Sequence, residues 1–420
     1  MTDIALGTVL AGAVPRLIDE WQIEPAIWNH IRRAIDDRAQ PGQFILTGSA
    51  VPADDITRHT GAARMTRLRM RPMSLHETGH STGTISLKAL LASSFGPCSD
   101  PGLTIQDVAT RVAVGGWPSH QVLTHPQALQ AMRGYLDEIR RVDIDRVDNV
   151  RRDPDRVGRL LASLARNVAT SVSISALARD TGGTDGPLKD DTVREYLAAL
   201  DRLMIIEDQP AWAPHLRSRS ILRTAPKRHF VDPALAVAAL RATPVRLLHE
   251  IEWFGFLFES LVVRDLRIYA QANDAMVRHY RDNTGLEVDA IVETAAGVWA
   301  ASHSRRHRRG GLWLRAPRRG GGHPHRRIGA VSEMGCSRPV LHRARRCGVG
   351  RLVGVRYLTS TTIATRLASI CATIAMVASR SPRPKSSGFT GTTTVAPARG
   401  FGSFGKIHRI LRRVSTFPFG

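Results

Sequence analysis

Hydrophobic positions along the chain fall into four stretches of different pattern, and each marks a segment. Residues 1 to about 80 alternate short apolar runs with one helical stripe. Val14 to Ile18 is a buried-strand candidate that ends in Asp19-Glu20, and Phe44-Ile45-Leu46 is a second that ends in Thr47-Gly48-Ser49. Between them Ile27, Ile31 and Ile35, with Trp28, recur at the i, i+4 spacing of an amphipathic helix. Strand, helix, strand with polar residues at the strand ends predicts an α/β sheet with a ligand at its carboxyl edge.

Residues 120–245 read as mostly helical. Leu160, Leu161, Leu164 and Val168 stripe one helix, Ser175 to Asp180 form a short second, and Val193, Leu197, Leu200 and Met204 stripe a third. Thr192 and Glu195 stand at capping-box spacing and place the start of that third helix. Ile205-Ile206 and His229-Phe230-Val231-Asp232 then read as strands, and the order predicts a winged helix. A helix through Phe254, Phe258, Leu261, Val262 and Leu266 follows, with strands around Val277 to Tyr280 and Val288 to Val292. Past residue 301 the punctuation stops.

Charge sharpens that last boundary. The formal net charge is +22, which in a uniform chain would point to nucleic acid or anionic membrane. Residues 1–300 hold 35 Lys and Arg against 36 Asp and Glu, whereas residues 301–420 hold 24 against one, Glu333. The surplus therefore belongs to the tail and excludes a basic protein throughout. Four cysteines in this length form no disulfide framework and fit a reducing cytoplasm, and the N-terminus lacks signal-peptide order. The apolar stretch Leu367 to Ser379 is too short to span a bilayer, so no membrane partner is expected.

The strand ends carry the candidate chemistry. In Arg16-Leu17-Ile18-Asp19-Glu20-Trp21 an apolar strand holds a first carboxylate at the sheet edge, as a Walker B strand does. There Asp19 can fix the magnesium that bridges nucleotide phosphates and Glu20 can orient water. Thr47 and Ser49 supply hydroxyls at the end of a neighbouring strand, where a sensor of the terminal phosphate would sit; a plain Thr-Gly-Ser turn is the other reading.

Taken with LIDEW (Leu17 to Trp21), FILTGSA (Phe44 to Ala50), the segment Thr60 to Glu77, HFVDPALA (His229 to Ala236), FESLVVRDL (Phe258 to Leu266) and GLEVDAIVE (Gly285 to Glu293), the chain resembles a known family. That family comprises bacterial and archaeal ATP-binding proteins of the AAA type with a winged helix and a C-terminal nuclease-like domain. The resemblance implies ATP and Mg²⁺ as cofactors, Asp19 on the metal, Glu20 on the water, Thr47 or Ser49 as sensor, and Arg64 toward the terminal phosphate. A surface arginine is the other reading of Arg64.

The implied fold is α/β. It comprises a partial P-loop NTPase sheet of the AAA type (1–85), a helical connection (86–150), a winged-helix domain (151–245), a partial restriction-endonuclease-like α/β domain (246–300) and a disordered basic tail (301–420). The phosphate-cradling G-x-x-x-x-G-K-[ST] is expected before Walker B, and the eighteen residues before Asp19 do not form it. Gly400 to Lys406 matches its first half but is followed by Ile407. A truncated ATPase that hydrolyses ATP poorly is therefore the expectation.

Glu259 and Asp289 resemble the first two acidic positions of a PD-(D/E)XK metal site; the Glu-x-Lys due after Ala301 is replaced by His303-Ser304-Arg305. An incomplete remnant site is one reading, and a helix carboxylate paired with an arginine such as Arg264 is the other. Residues 189–208 carry an acidic surplus that opposes approach to phosphate, while Arg217, Arg219, Arg223, Lys227 and Arg228 cluster where a wing would lie. Nucleic-acid binding through wing and tail is thus the alternative function. Three readings compete for residues 301–420: a nucleic-acid arm, a zinc module around Cys336, His342 and Cys347, and out-of-frame translation of GC-rich DNA. The abrupt loss of acids favours the third.

Overall fold

The computed structural model describes residues 7–50, 61–92, 94, 102–213, 224–281, 287–303 and 311–315. Contacts divide the chain into Met1–Arg380 and Ser381–Gly420, and every described residue belongs to the first unit. The expectations for Arg217, Arg219, Arg223, Cys336, His342, Cys347, Leu367 to Ser379 and Gly400 to Lys406 fall outside the described residues.

The fold is α/β, mostly helical, with two small sheets. Strand β1 (Arg16–Ile18) leads through a short 3-10 turn into α1 (Ile27–Arg38), and β2 (Phe44–Leu46) returns parallel to β1. Leu10, Ile27 and Ile31 form a small core here, onto which Ile18, Phe44 and Leu46 pack. These strands are not the buried strands their apolar sequence suggests: Leu17 is 42% exposed. Only one face of a two-stranded sheet rests on α1, and side chains alternate between the faces.

A single hydrophobic cluster runs from Leu75 to Ala300, across the boundaries drawn from the sequence. Helices α2 (Leu87–Leu91), α3 (Ile105–Val114) and α4 (His125–Glu138) open it, and α4 continues through a π turn to Arg146. Capping boxes start α3 at Thr104/Asp107 and α4 at Thr124/Gln127, each satisfying two otherwise unpaired backbone donors. Next come α5 (Pro154–Arg166), capped by Asp153, α6 (Ile174–Gly182), capped by Ser173, and α7 (Asp190–Arg202). The proposed box at Thr192/Glu195 is not formed. Helix α7 begins two residues earlier, after Lys189, where Asp190 and Asp191 place negative charge against the N-terminal dipole.

After α7 the backbone pairs Ile206 with Phe230 and Gln209 with Lys227 antiparallel, and Arg228 with Thr170 on the far side. Gln209 turns both backbone groups to Lys227, while the Pro210 carbonyl and Trp212 N–H on the opposite edge bond His279. The 205–212 segment therefore lies between two partners.

Helices α8 (Pro233–Ala239) and α9 (Pro244–His249) lead to α10 (Ile251–Gln271). Helix α10 buries Phe254, Phe258, Leu261, Leu266 and also charged residues on other faces, as befits a central helix. Strands β3 (Ala275–Arg281), β4 (Glu287–Thr294), β5 (Trp299–His303) and β6 (Gly311–Arg315) form an antiparallel sheet in sequence order. The basic tail expected from residue 301 therefore begins later in this respect: β5 runs to His303, and Gly311–Arg315 pairs with it. The Leu-Trp-Leu sequence inside β6 is β-prone, and charge composition masked it.

Candidate functional site

At the carboxyl edge of β1 and β2 the parallel register sets Ile18 beside Leu46, so the next residues of both strands meet. The Thr47 amide donates to the Ile18 carbonyl at 2.9 Å, and the Trp21 amide donates to the Thr47 carbonyl at 3.2 Å. The Thr47 hydroxyl donates to Asp19 Oδ1. Ser49 Oγ donates to Glu20 Oε2 at 3.1 Å, and the Gln22 amide bonds the same carboxylate. Asp19, Glu20, Thr47 and Ser49 are thus brought to one edge. Glu20 holds a left-handed backbone (φ 51°), uncommon for a residue with a side chain.

Arg64 does not join them. Its Nε lies 2.6 Å from Asp36 Oδ1 on α1. The next arginines of that segment turn elsewhere: Arg71 grips Glu207 with both sides of its guanidinium, at 2.6 and 3.0 Å. Glu207 is buried, which favours its neutral form, yet Arg267, Arg71 and Arg69 outweigh burial and hold its carboxyl down at about 2.

A second cluster lies between the 205–231 ladder and the C-terminal sheet. Lys227 Nζ stands 2.7 Å from Glu259 Oε1, 2.9 Å from Glu287 Oε1 and 3.3 Å from Asp289 Oδ1, and its side chain is 4% exposed. Burial opposes the lysine's charge, but Glu259, Asp289 and Glu287 outweigh it and raise its pKa well above the ordinary value. Burial, then Asp289, pushes the Glu259 carboxyl up to about 8, against the pull of Lys227. Glu259 and Asp289 are therefore together, as the sequence pattern anticipates, but around a lysine. Arg264, the alternative partner for Glu259, pairs with Asp232 and Asp265 instead. Among the described residues, no group of three or more His, Cys, Asp and Glu is arranged to hold a metal ion.

A buried polar relay backs this cluster. Gln209 Nε2 donates to the Asp289 carbonyl at 2.9 Å, so its Oε1 is left to accept from His229 Nε2 at 3.2 Å. His229 Nδ1 then accepts from Ser260 Oγ at 3.1 Å. Burial, reinforced by Arg267 and Lys227, keeps His229 neutral, well below the ordinary histidine value.

The wing cations are largely committed. Lys227 serves the carboxylates and Arg228 is ion-paired with Asp208, which leaves Arg217, Arg219 and Arg223 outside the described residues. The sequence marks Lys227 as a wing cation and gives Glu287 a signal only in the alternation Glu287-Val288-Asp289, which puts both acids on one strand face.

An α/β chain with an acid- and hydroxyl-bearing strand edge and a separate lysine-carboxylate cluster is what the geometry defines. Residues 105–246 match the model of a domain of unknown function, DUF8612, and residues 254–302 match that of a second, DUF4143. DUF4143 is a domain that often follows AAA-type ATPase domains. No curated protein and no solved structure matches the chain. No described helix is long and apolar enough to cross a membrane.

Proposed function

We propose that this is an ATP-binding protein of the AAA ATPase type, working in a reducing cytoplasm, that meets Mg²⁺·ATP at the Asp19 edge. As a chain with no G-x-x-x-x-G-K-[ST] in its 420 residues, it turns over ATP little or not at all. One observation carries the reading: the Thr47 hydroxyl on the Asp19 carboxylate, across parallel strands, at the sheet edge where α/β folds bind ligands. The DUF4143 match supports it.

The donors suit the implied ion. Asp19 is exposed and offers oxygen, the ligand type Mg²⁺ prefers, and one or two carboxylates suffice when phosphates complete the shell. Bound there, Mg²⁺ would neutralise phosphate charge. Asp19 would hold the ion, Thr47 and Ser49 orient the two carboxylates, and Glu20 would act on the water. Arg64 reaches a phosphate only after releasing Asp36. On the same reading residues 151–245 are a winged helix, with Thr170 as its short first strand, and Ala211 bridges it to His279 of the nuclease-like sheet.

The test is titration of the full chain with a fluorescent ATP analogue and Mg²⁺, alongside phosphate release, for wild type and Asp19→Asn. Weak binding that Asp19→Asn abolishes, with background turnover in both, is expected. Asp19-dependent turnover overturns the claim of inactivity; binding indifferent to Asp19 overturns the site.

A further inference from the structure

The lysine-carboxylate cluster has a stoichiometry of its own. An ammonium carries three N–H donors, and three carboxylates from two elements converge on Lys227 Nζ at 2.7, 2.9 and 3.3 Å. Those are hydrogen-bond distances. A small divalent ion needs oxygens at about 2.0 to 2.1 Å, and calcium at about 2.3 to 2.6 Å, so the cage is sized for nitrogen.

The lysine is also fixed from behind. Its backbone N–H and carbonyl are both bonded to Gln209, at 3.0 and 2.9 Å, and the Gln209 side chain bonds the carbonyl of Asp289, one of the three acids. The other titratable ring at the cluster, His279, points Nε2 at the Ala225 carbonyl, 3.2 Å away.

We infer that Lys227 is the built-in cation of this cluster, standing where a PD-(D/E)XK site would hold its metal, so that the Glu259 and Asp289 pair forms a metal-independent clamp. Lys227 comes from the 205–231 ladder, Glu259 from α10 and Glu287 and Asp289 from β4, so one side chain ties the helical module to both layers of the C-terminal half. The inference uses the nuclease-like reading of residues 246–300 for the comparison with a metal, and is independent of ATP binding.

Two measurements on the full chain test it. The first is Mn²⁺ binding by calorimetry for wild type and Asp289→Asn: no binding sensitive to Asp289 is expected, and stoichiometric binding lost in Asp289→Asn overturns the inference. The second is thermal melting. Lys227→Met strips the cation and is expected to lower Tm by on the order of 5 °C or to prevent folding. Adding Glu259→Gln and Asp289→Asn to it removes the two more deeply buried of the three orphaned acids, leaving the more exposed Glu287, and is expected to recover most of the loss. A Lys227→Met chain as stable as wild type, or a triple variant no better than the single, overturns the inference.

Discussion

Arg264 and Asp232 form an ion pair with no solvent on either side, Nη1 to Oδ2 at 2.8 Å, joining α10 to the cap of α8. Asp232 also accepts the amides of Gly116 and Ala234, and Arg264 bridges on to Asp265, which accepts the Leu75 amide. Four segments distant in sequence share these charges. Removing one partner leaves a buried charge uncompensated, so Arg264→Met is expected to cost about 3 to 5 kcal/mol in urea denaturation. A loss below about 1 kcal/mol would show that the pair is replaceable by simple packing.

Two glycines, Gly116 at this junction and Gly134 away from it, differ in the room they leave for a methyl group. A Cβ on Gly116 would sit 2.2 Å from the Met73 carbonyl oxygen, a backbone atom that cannot swing aside, whereas one on Gly134, inside α4, meets nothing within 4 Å. Gly116→Ala is expected to yield little folded protein. Gly134→Ala is expected to stabilise by about 0.5 to 1 kcal/mol, since a helix interior favours alanine. Circular-dichroism melts of the two variants check both signs.

Stability is expected to fall at both ends of the pH range, by opposite mechanisms. Glu207 sits at about 2 in the fold and 4.5 when free, so its contribution is complete above 4.5 and is lost as pH falls toward 2. Glu259 sits at about 8 against 4.5, so its contribution is complete below 4.5 and is lost as pH rises through 8. Tm against pH should therefore lose part of its acid slope in Glu207→Gln and part of its slope between 5 and 8 in Glu259→Gln. Unchanged slopes would contradict these assignments.

Duplex DNA binding should depend on the tail. Among the described residues of the helical module, Lys227 and Arg228 are engaged internally, and α7 opens on Asp190 and Asp191, which oppose approach to phosphate. Deleting residues 316–420 is expected to abolish duplex affinity and its salt dependence in fluorescence anisotropy. Retained affinity with a steep salt slope would return the role to residues 151–245.

The Asp19 edge was legible because its parts are local: two apolar triplets, each followed at once by its polar residues, in strands that pair in parallel. The helices from Asp153 to Arg202 were legible for the same reason, period and caps. Lys227 was not, because its meaning comes from Glu259, 32 residues away, and Asp289, 62 away, and no local pattern marks a lysine that will be buried. Arg64 stayed open between a phosphate contact and a surface arginine, since a sequence cannot show that Asp36 on α1 lies within ion-pair reach. The start of α7 slipped by two residues because Asp190 and Asp191 outbid a correctly spaced but unused box.

The segment 205–212 carries a practical consequence for anyone cutting this chain. It is hydrogen-bonded to Lys227 on one edge and to His279 on the other, so a fragment ending near residue 245 would bare the second edge. Bared strand edges recruit other chains. Such a fragment is expected to run as aggregates on size exclusion, whereas one extended through residue 315 keeps both edges covered and is the better unit for expression.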